Sequence, residues 1–121
     1  MPVMNAGNAE HYTWGAGCDG WRLLNNADLA VIQERIPPGL GEVRHYHARS
    51  RQLFYVLHGR LQIEIGDVVE ELGIGDSIEV PPTVPHSVRN PFEADARFLV
   101  VSAPSTANDR VSLEPPPGRS V

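Results

Sequence analysis

Glycine and proline, 11 of each in 121 residues, cut this chain into runs too short to require a helix of ordinary length. The runs between these breakers are rich in β-branched and aromatic residues, and several alternate apolar with polar. Arg60 to Ile65 is the cleanest case: Leu61, Ile63 and Ile65 face one way, Gln62 and Glu64 the other. Trp21 to Leu24, Leu29 to Ile36, Glu42 to His47, Gln52 to Leu57, Val68 to Leu72, Ser77 to Val80, Pro85 to Arg89 and Arg97 to Ser102 read as further strands. A helix is the alternative for Leu29 to Ile36, but the ring of Pro37 pushes Ile36 out of the helical region. Asn25–Asn26, Gly66–Asp67 and Asn90–Pro91 are turn signals. Roughly eight to ten short strands at near-regular spacing predict an all-β sandwich or barrel.

The length fits one domain, residues 1–121. Its barrel core is expected over about residues 21–102, after an irregular lead-in over about 1–10 and before an irregular, Pro-rich tail over about 103–121 that ends PPPGRSV. The formal net charge is −5, and all ten cationic residues are Arg. No basic stripe is present, so no nucleic-acid partner is expected. The single cysteine, Cys18, cannot form an internal disulfide and has no neighbouring His or Cys in sequence, so it reads as structural. No apolar stretch approaches the length of a membrane span, and MPVMNAGNAEHY lacks the basic-then-apolar pattern of an export signal. The expectation is a cytoplasmic protein without a membrane partner.

The chemistry concentrates in the histidines. His45 and His47 are two apart in an expected strand, so both side chains leave the same face. Gln52 follows in the next strand, and His86 opens a later one. Ligands contributed by separate strands of one sheet fold can converge on one metal ion. His11 lies in the lead-in region and His58 abuts Gly59 in a turn; neither is a candidate ligand.

The frame around these residues resembles the cupin superfamily, in its small single-domain form. Gly39, five residues, His45-x-His47, four residues, Gln52, six residues and Gly59 match the first cupin motif. Gly75, five residues, Pro81-x-Thr83, two residues, His86, three residues and Asn90 match the second. Two positions depart: Gln52 stands where the family usually has Glu, and Thr83 where it usually has Gly. The resemblance implies a jelly-roll barrel of six to eight strands and a frequent homodimer. It also implies one divalent transition metal (Zn, Fe, Mn or Ni) on His45, His47, Gln52 and His86. A Gln brings a neutral carbonyl oxygen, so this set leaves the full charge on the ion. That favours Lewis-acid work or an anionic substrate over stable trivalent iron or manganese. The set of three His and one Gln is also similar to that of the uronate ring-opening cupins. That group carries an acid, an aromatic and an Arg in its last strand, whereas Ala96 to Ala103 here reads ARFLVVSA, without an acid.

Alternation extends the site. If Gln52 points inward, so do Phe54 and Val56; if His86 does, so does Val88. A mostly apolar interior around an ion suits a small-molecule pocket. Tyr46, Arg44 and Arg51 are expected to point away. Arg35 and Arg97 are candidates to clamp a substrate carboxylate at the barrel mouth. Glu34, Glu42 and Glu64 are the nearby acids by sequence, with Glu64 on the outer face, and no catalytic residue is assigned. The expected function is a metal-dependent enzyme (dioxygenase, isomerase, cyclase or lyase) acting on a small anionic or oxygen-rich metabolite. The alternative is a non-catalytic binding or sensor protein using the same pocket.

Overall fold

The structure is a computed structural model that describes residues 2–113; the PPPGRSV end of the expected tail lies outside the described residues. Among the described residues there are eleven strands: β1 Glu10–Trp14, β2 Cys18–Asn25, β3 Ala30–Ile36, β4 His45–His47, β5 Arg51–His58, β6 Leu61–Ile65, β7 Val68–Leu72, β8 Ser77–Val80, β9 His86–Arg89, β10 Ala96–Ala103 and β11 Arg110–Ser112. No helix occurs among the described residues. The strands form two antiparallel sheets, one ordered β1-β2-β3-β10-β5-β8 and the other β11-β4-β9-β6-β7. They face each other as a jelly roll, and no strand ladder joins them into a closed barrel among the described residues.

Period-two alternation decides what lies between the sheets. In β5 the inward set is Gln52, Phe54 and Val56, and in β10 it is Ala96, Phe98, Val100 and Ser102. The second sheet answers with Leu61, Ile63, Leu72 and Val88. Cys18 and Ile36 complete the core from β2 and β3. Fully burying a side chain such as Phe98, Ile36, Leu61 or Ile63 contributes roughly 1.5–3 kcal/mol each, which is what clamps the two sheets together. Burial also pushes the Cys18 thiol up to about 11, with the charges of Glu34 and Asp19 adding to the effect, so it stays an unreactive thiol.

Two turns and one strand glycine set the geometry locally. Gly66 at φ +56° turns β6 into β7 across the two-residue hairpin Gly66–Asp67, the left-handed conformation such turns demand. A Cβ on Gly20 would lie 2.3 Å from Cζ of Tyr12, its cross-strand partner; the missing side chain lets the Tyr12 ring lie across β2. Thr83 adopts φ +72°, where the expected motif has Gly.

The folded region is wider than the expected 21–102. The first sheet already starts at Glu10, because Tyr12 and Trp14 turn inward on β1. The tail is not irregular throughout: β11 pairs with β4, Arg110 opposite His47 and Ser112 opposite His45. Eleven strands also exceed the six to eight that the resemblance implied.

Candidate metal centre and its cavity

His45, His47 and His86 converge between the sheets, and their ligand atoms all lie within 4.8 Å of one another. All three side chains are buried. The convergence follows from pairing: β4 runs beside β9 with His45 directly opposite His86. The ring centroids of that pair are 4.4 Å apart. The Nδ1–H of His45 donates to the Val43 carbonyl at 2.7 Å, and that of His86 to Val84 at 3.0 Å. These bonds turn the Nε2 lone pairs of both rings toward the shared space, the usual way a protein orients imidazole ligands. Nδ1 of His47 is buried without a hydrogen-bond partner, although the Asp109 main chain lies close enough to favour its protonated form.

Burial holds all three rings neutral. It pushes His45 down to about 3 against the pull of the Val43 carbonyl, and His47 down to about 4 with help from His86. His86 is lowered for the same reason. Neutral imidazole is the ligating form, so no proton has to leave before a cation binds.

Gln52 completes the ring of donors. Its Nε2 donates to Ser102 Oγ at 3.1 Å, and its Oε1 lies 3.1 Å from Nε2 of His86. With His86 neutral and its one proton committed to Val84, that second contact joins two lone pairs. A cation between the two atoms satisfies both, and so does the amide turned over, with its NH2 on His86 and its oxygen on Ser102. Three neutral imidazoles and an amide oxygen are donors that divalent transition metals accept. The donor chemistry therefore fits a divalent metal.

A cavity of about 210 Å³ opens onto this cluster. His45, His47, Gln52, Phe54, Val100 and Ser102 form its floor, and Tyr12, Trp14, Glu34, Glu42, Thr106 and Arg110 its walls and mouth. His86, Val56 and Val88 lie in the buried layer beneath and are not part of the wall. The interior is thus apolar only in its depth, and polar at the mouth.

The wall acids have unusual surroundings. Glu34 alternates inward on β3 between Ile32 and Ile36, and its side chain has no hydrogen bond or ion pair among the described residues. Burial, then the neighbouring charge of Glu42, push it up to about 8, against Arg110. Burial pushes Glu42 up to about 7, opposed by Arg110 and by the Val88 N–H that donates to its Oε1 at 3.1 Å. Desolvation and the Glu34 charge raise Tyr12 as well.

Two expected clamps fall elsewhere. Arg35 and Arg97 occupy the odd positions of β3 and β10, which face away from the core. Arg35 is committed to Asp19 at 2.7 Å and Asp95 at 2.9 Å, and Arg97 lies over the Trp21 ring. Neither lines the cavity. The outward residues behave as expected: Glu64 pairs with Arg44, and Arg51 with Glu79. His11 is bound to Asp19 at 2.8 Å. Arg110, Tyr12 and Trp14 were not anticipated. The period-two placement of Glu34 was readable, since Ile32, Glu34 and Ile36 share a parity.

Known proteins give the same picture. The family model for the cupin domain matches residues 32–102. An uncharacterized protein from Methanocaldococcus jannaschii is 28% identical over 91 residues, covering 75% of this chain and 73% of its own. Among solved structures, KdgF from a Halomonas species superposes with a TM-score of 0.80 at 19% identity, covering 88% of this chain and 98% of that one. A sugar phosphate isomerase of the cupin superfamily from Silicibacter pomeroyi gives 0.75 at 23%, covering 86% and 76%. At these identities the structural matches speak for the fold alone. With matching motifs, a histidine triad and a jelly roll in place, the chain belongs to the cupin family.

Proposed function

We propose that the chain is a metal-dependent enzyme that binds one divalent transition metal (Zn, Fe, Mn or Ni) through His45, His47, Gln52 and His86. Its substrate is a small anionic or oxygen-rich metabolite. The observation that carries this reading is the buried histidine triad, whose ligand atoms all lie within 4.8 Å of one another, with Gln52 3.1 Å from His86 beside it. The neutral donor set favours Lewis-acid polarisation of a ligand oxygen, of the kind isomerases and lyases use, over redox chemistry. The chain's own residues supply the rest. Phe54 and Trp14 line the cavity and keep water from its floor. Glu34 and Glu42, raised to about 8 and about 7, hold protons near neutral pH and can pass them to or from a bound oxygen or carbon. The cavity of about 210 Å³ is smaller than a drug-sized pocket and suits a metabolite of a few carbons.

The same proposal includes a homodimer. Leu53, Tyr55 and Leu57 stand 38 to 40% exposed along the outer face of β5, an apolar strip that a second copy would cover.

The test is turnover of a panel of small hydroxy acids, keto acids and sugar derivatives by metal-loaded and chelator-treated protein. Turnover of a panel member only in the loaded protein supports the enzyme reading. Ligand-dependent thermal shifts without turnover would replace it with a non-catalytic binding protein.

A further inference from the structure

The mouth of the cavity holds a guanidinium that the site's own residues do not use. Arg110 lies on β11 directly opposite His47, and directly opposed residues of an antiparallel pair project from the same face. It reaches the cavity wall together with Glu34 and Glu42. Its charge is felt at His45, His47, His86, Glu34 and Glu42 alike. Yet among the described residues no carboxylate lies within ion-pair distance of it. Its side-chain hydrogen bond to the Val43 carbonyl is long, at 3.4 Å. Six other arginines, Arg22, Arg35, Arg44, Arg49, Arg51 and Arg60, each have an acid within 4 Å, and Arg89 and Arg97, which also lack one among the described residues, do not line the cavity. Across the cavity, the Glu34 carboxyl likewise has no hydrogen-bond partner among the described residues.

We propose that Arg110 is the carboxylate anchor of this site and Glu34 its hydroxyl partner, so that the occupant is a small α- or β-hydroxy carboxylate spanning the two. The fork of a guanidinium matches a carboxylate with two parallel hydrogen bonds. A carboxyl group bonds a hydroxyl in either protonation state. The charge count agrees: a divalent ion and Arg110 together outweigh the two wall acids, which repel each other and share the Arg110 field. A neutral polyol would leave the guanidinium unmatched. A plain carboxylate would leave Glu34 unmatched, and an unpaired polar group in such a cavity is costly. This inference rests on the reading of the cavity as a metal-containing small-molecule site, and it names the class of molecule that the site takes.

The experiment is calorimetric binding to metal-loaded protein, with metal content measured on every sample. The probes are lactate, glycerate and malate. Propionate and succinate serve as controls without the hydroxyl, and glycerol and erythritol as controls without the carboxylate. The proposal expects at least one hydroxy acid to bind about tenfold tighter than its controls. It expects Arg110→Gln to abolish that preference over the polyols, Arg110→Lys to keep part of it, and Glu34→Ala to erase the preference over plain acids. Metal content should stay unchanged in all three variants. Full metal with no binding of any hydroxy acid, or unchanged affinity in Arg110→Gln, overturns the anchor and leaves the metal reading intact. Metal-free wild type that still binds hydroxy acids through Arg110 supports the anchor and removes the metal instead.

Discussion

Thr83 holds φ at +72°, a left-handed conformation that costs a β-branched residue of order 1–3 kcal/mol. Its N–H donates to the His47 carbonyl at 2.7 Å, so the strained turn is pinned against a ligand strand. Thr83→Gly removes the strain at the expense of a more flexible unfolded chain. The net gain is expected to be about 0.5–1 kcal/mol, read as a rise of a few degrees in Tm; an unchanged or lower Tm would contradict the strain. Glu34 sets a second residue-scale expectation. Its folded pKa of about 8 exceeds the ordinary 4.5, so the native state holds the proton more tightly than the unfolded chain does. Stability from this group is fully present below 4.5 and is lost as pH rises through about 8. Glu42 acts in the same direction up to about 7. The lowered histidines act with the opposite sign below their ordinary 6.5, so urea midpoints of the metal-free protein should fall only between about pH 7 and 9, and Glu34→Gln should flatten that fall. An equal slope in both proteins would show that Glu34 is not desolvated. The histidine cluster was legible in the sequence because HxH and the distant His86 sit in a frame of fixed spacings. It left the acids' environment undisclosed, because burial beside Arg110 depends on strands far apart in the chain.

At the scale of the element, β11 and the turn between β4 and β5 act together. The Asp109 carboxylate accepts from the N–H groups of Arg49 and Ser50 at 3.0 and 2.8 Å. Burial works against its ionised form, but these N–H groups and Arg49 hold it below the usual carboxylate range. This turn separates His47 from Gln52, so Asp109 fixes the spacing of two ligands without touching an ion. Supporting contacts of this kind are worth about 10–100-fold in metal affinity. Asp109→Asn is expected to weaken zinc binding by about tenfold in a chelator competition, and Arg49→Ala to do much less; equal effects would assign the role to the surface ion pair. On the other edge, Gly20→Ala should drive the Tyr12 ring off β2 at about 1–3 kcal/mol, read in the urea midpoint. Adding Tyr12→Ala should recover much of the loss, and a purely additive double variant would contradict the contact. The edge strands β1 and β11 escaped the sequence reading for physical reasons. β1 interleaves Glu10, His11 and Thr13 with its aromatics, and β11 is three exposed residues whose order comes from β4 rather than from their own propensity. The central strands were legible because Gly and Pro bound them and their apolar parity is regular. That same parity excludes Arg35 and Arg97 from the site, since the inward residues of β3 and β10 have even numbers.

For the whole molecule, two sheets bury an apolar floor, suspend three neutral imidazoles and an amide above it, and leave a polar mouth lined by Glu34, Glu42 and Arg110. The exposed strip of Leu53, Tyr55 and Leu57 on the outer face is expected to be covered by a second copy. Sedimentation should then give a dimer for the wild type and a monomer for Tyr55→Glu combined with Leu57→Glu, whereas a monomeric wild type would refute it. The central claim is that the cluster is a working metal site rather than an amide turned over, with its NH2 on His86 and its oxygen on Ser102. Elemental analysis of purified wild type beside His47→Ala tests this most directly. The account predicts close to one transition-metal ion per chain in the wild type and its loss in the variant. Metal well below that ratio in both, unchanged after divalent ions are added, would mean that Gln52 and the histidines hold only one another.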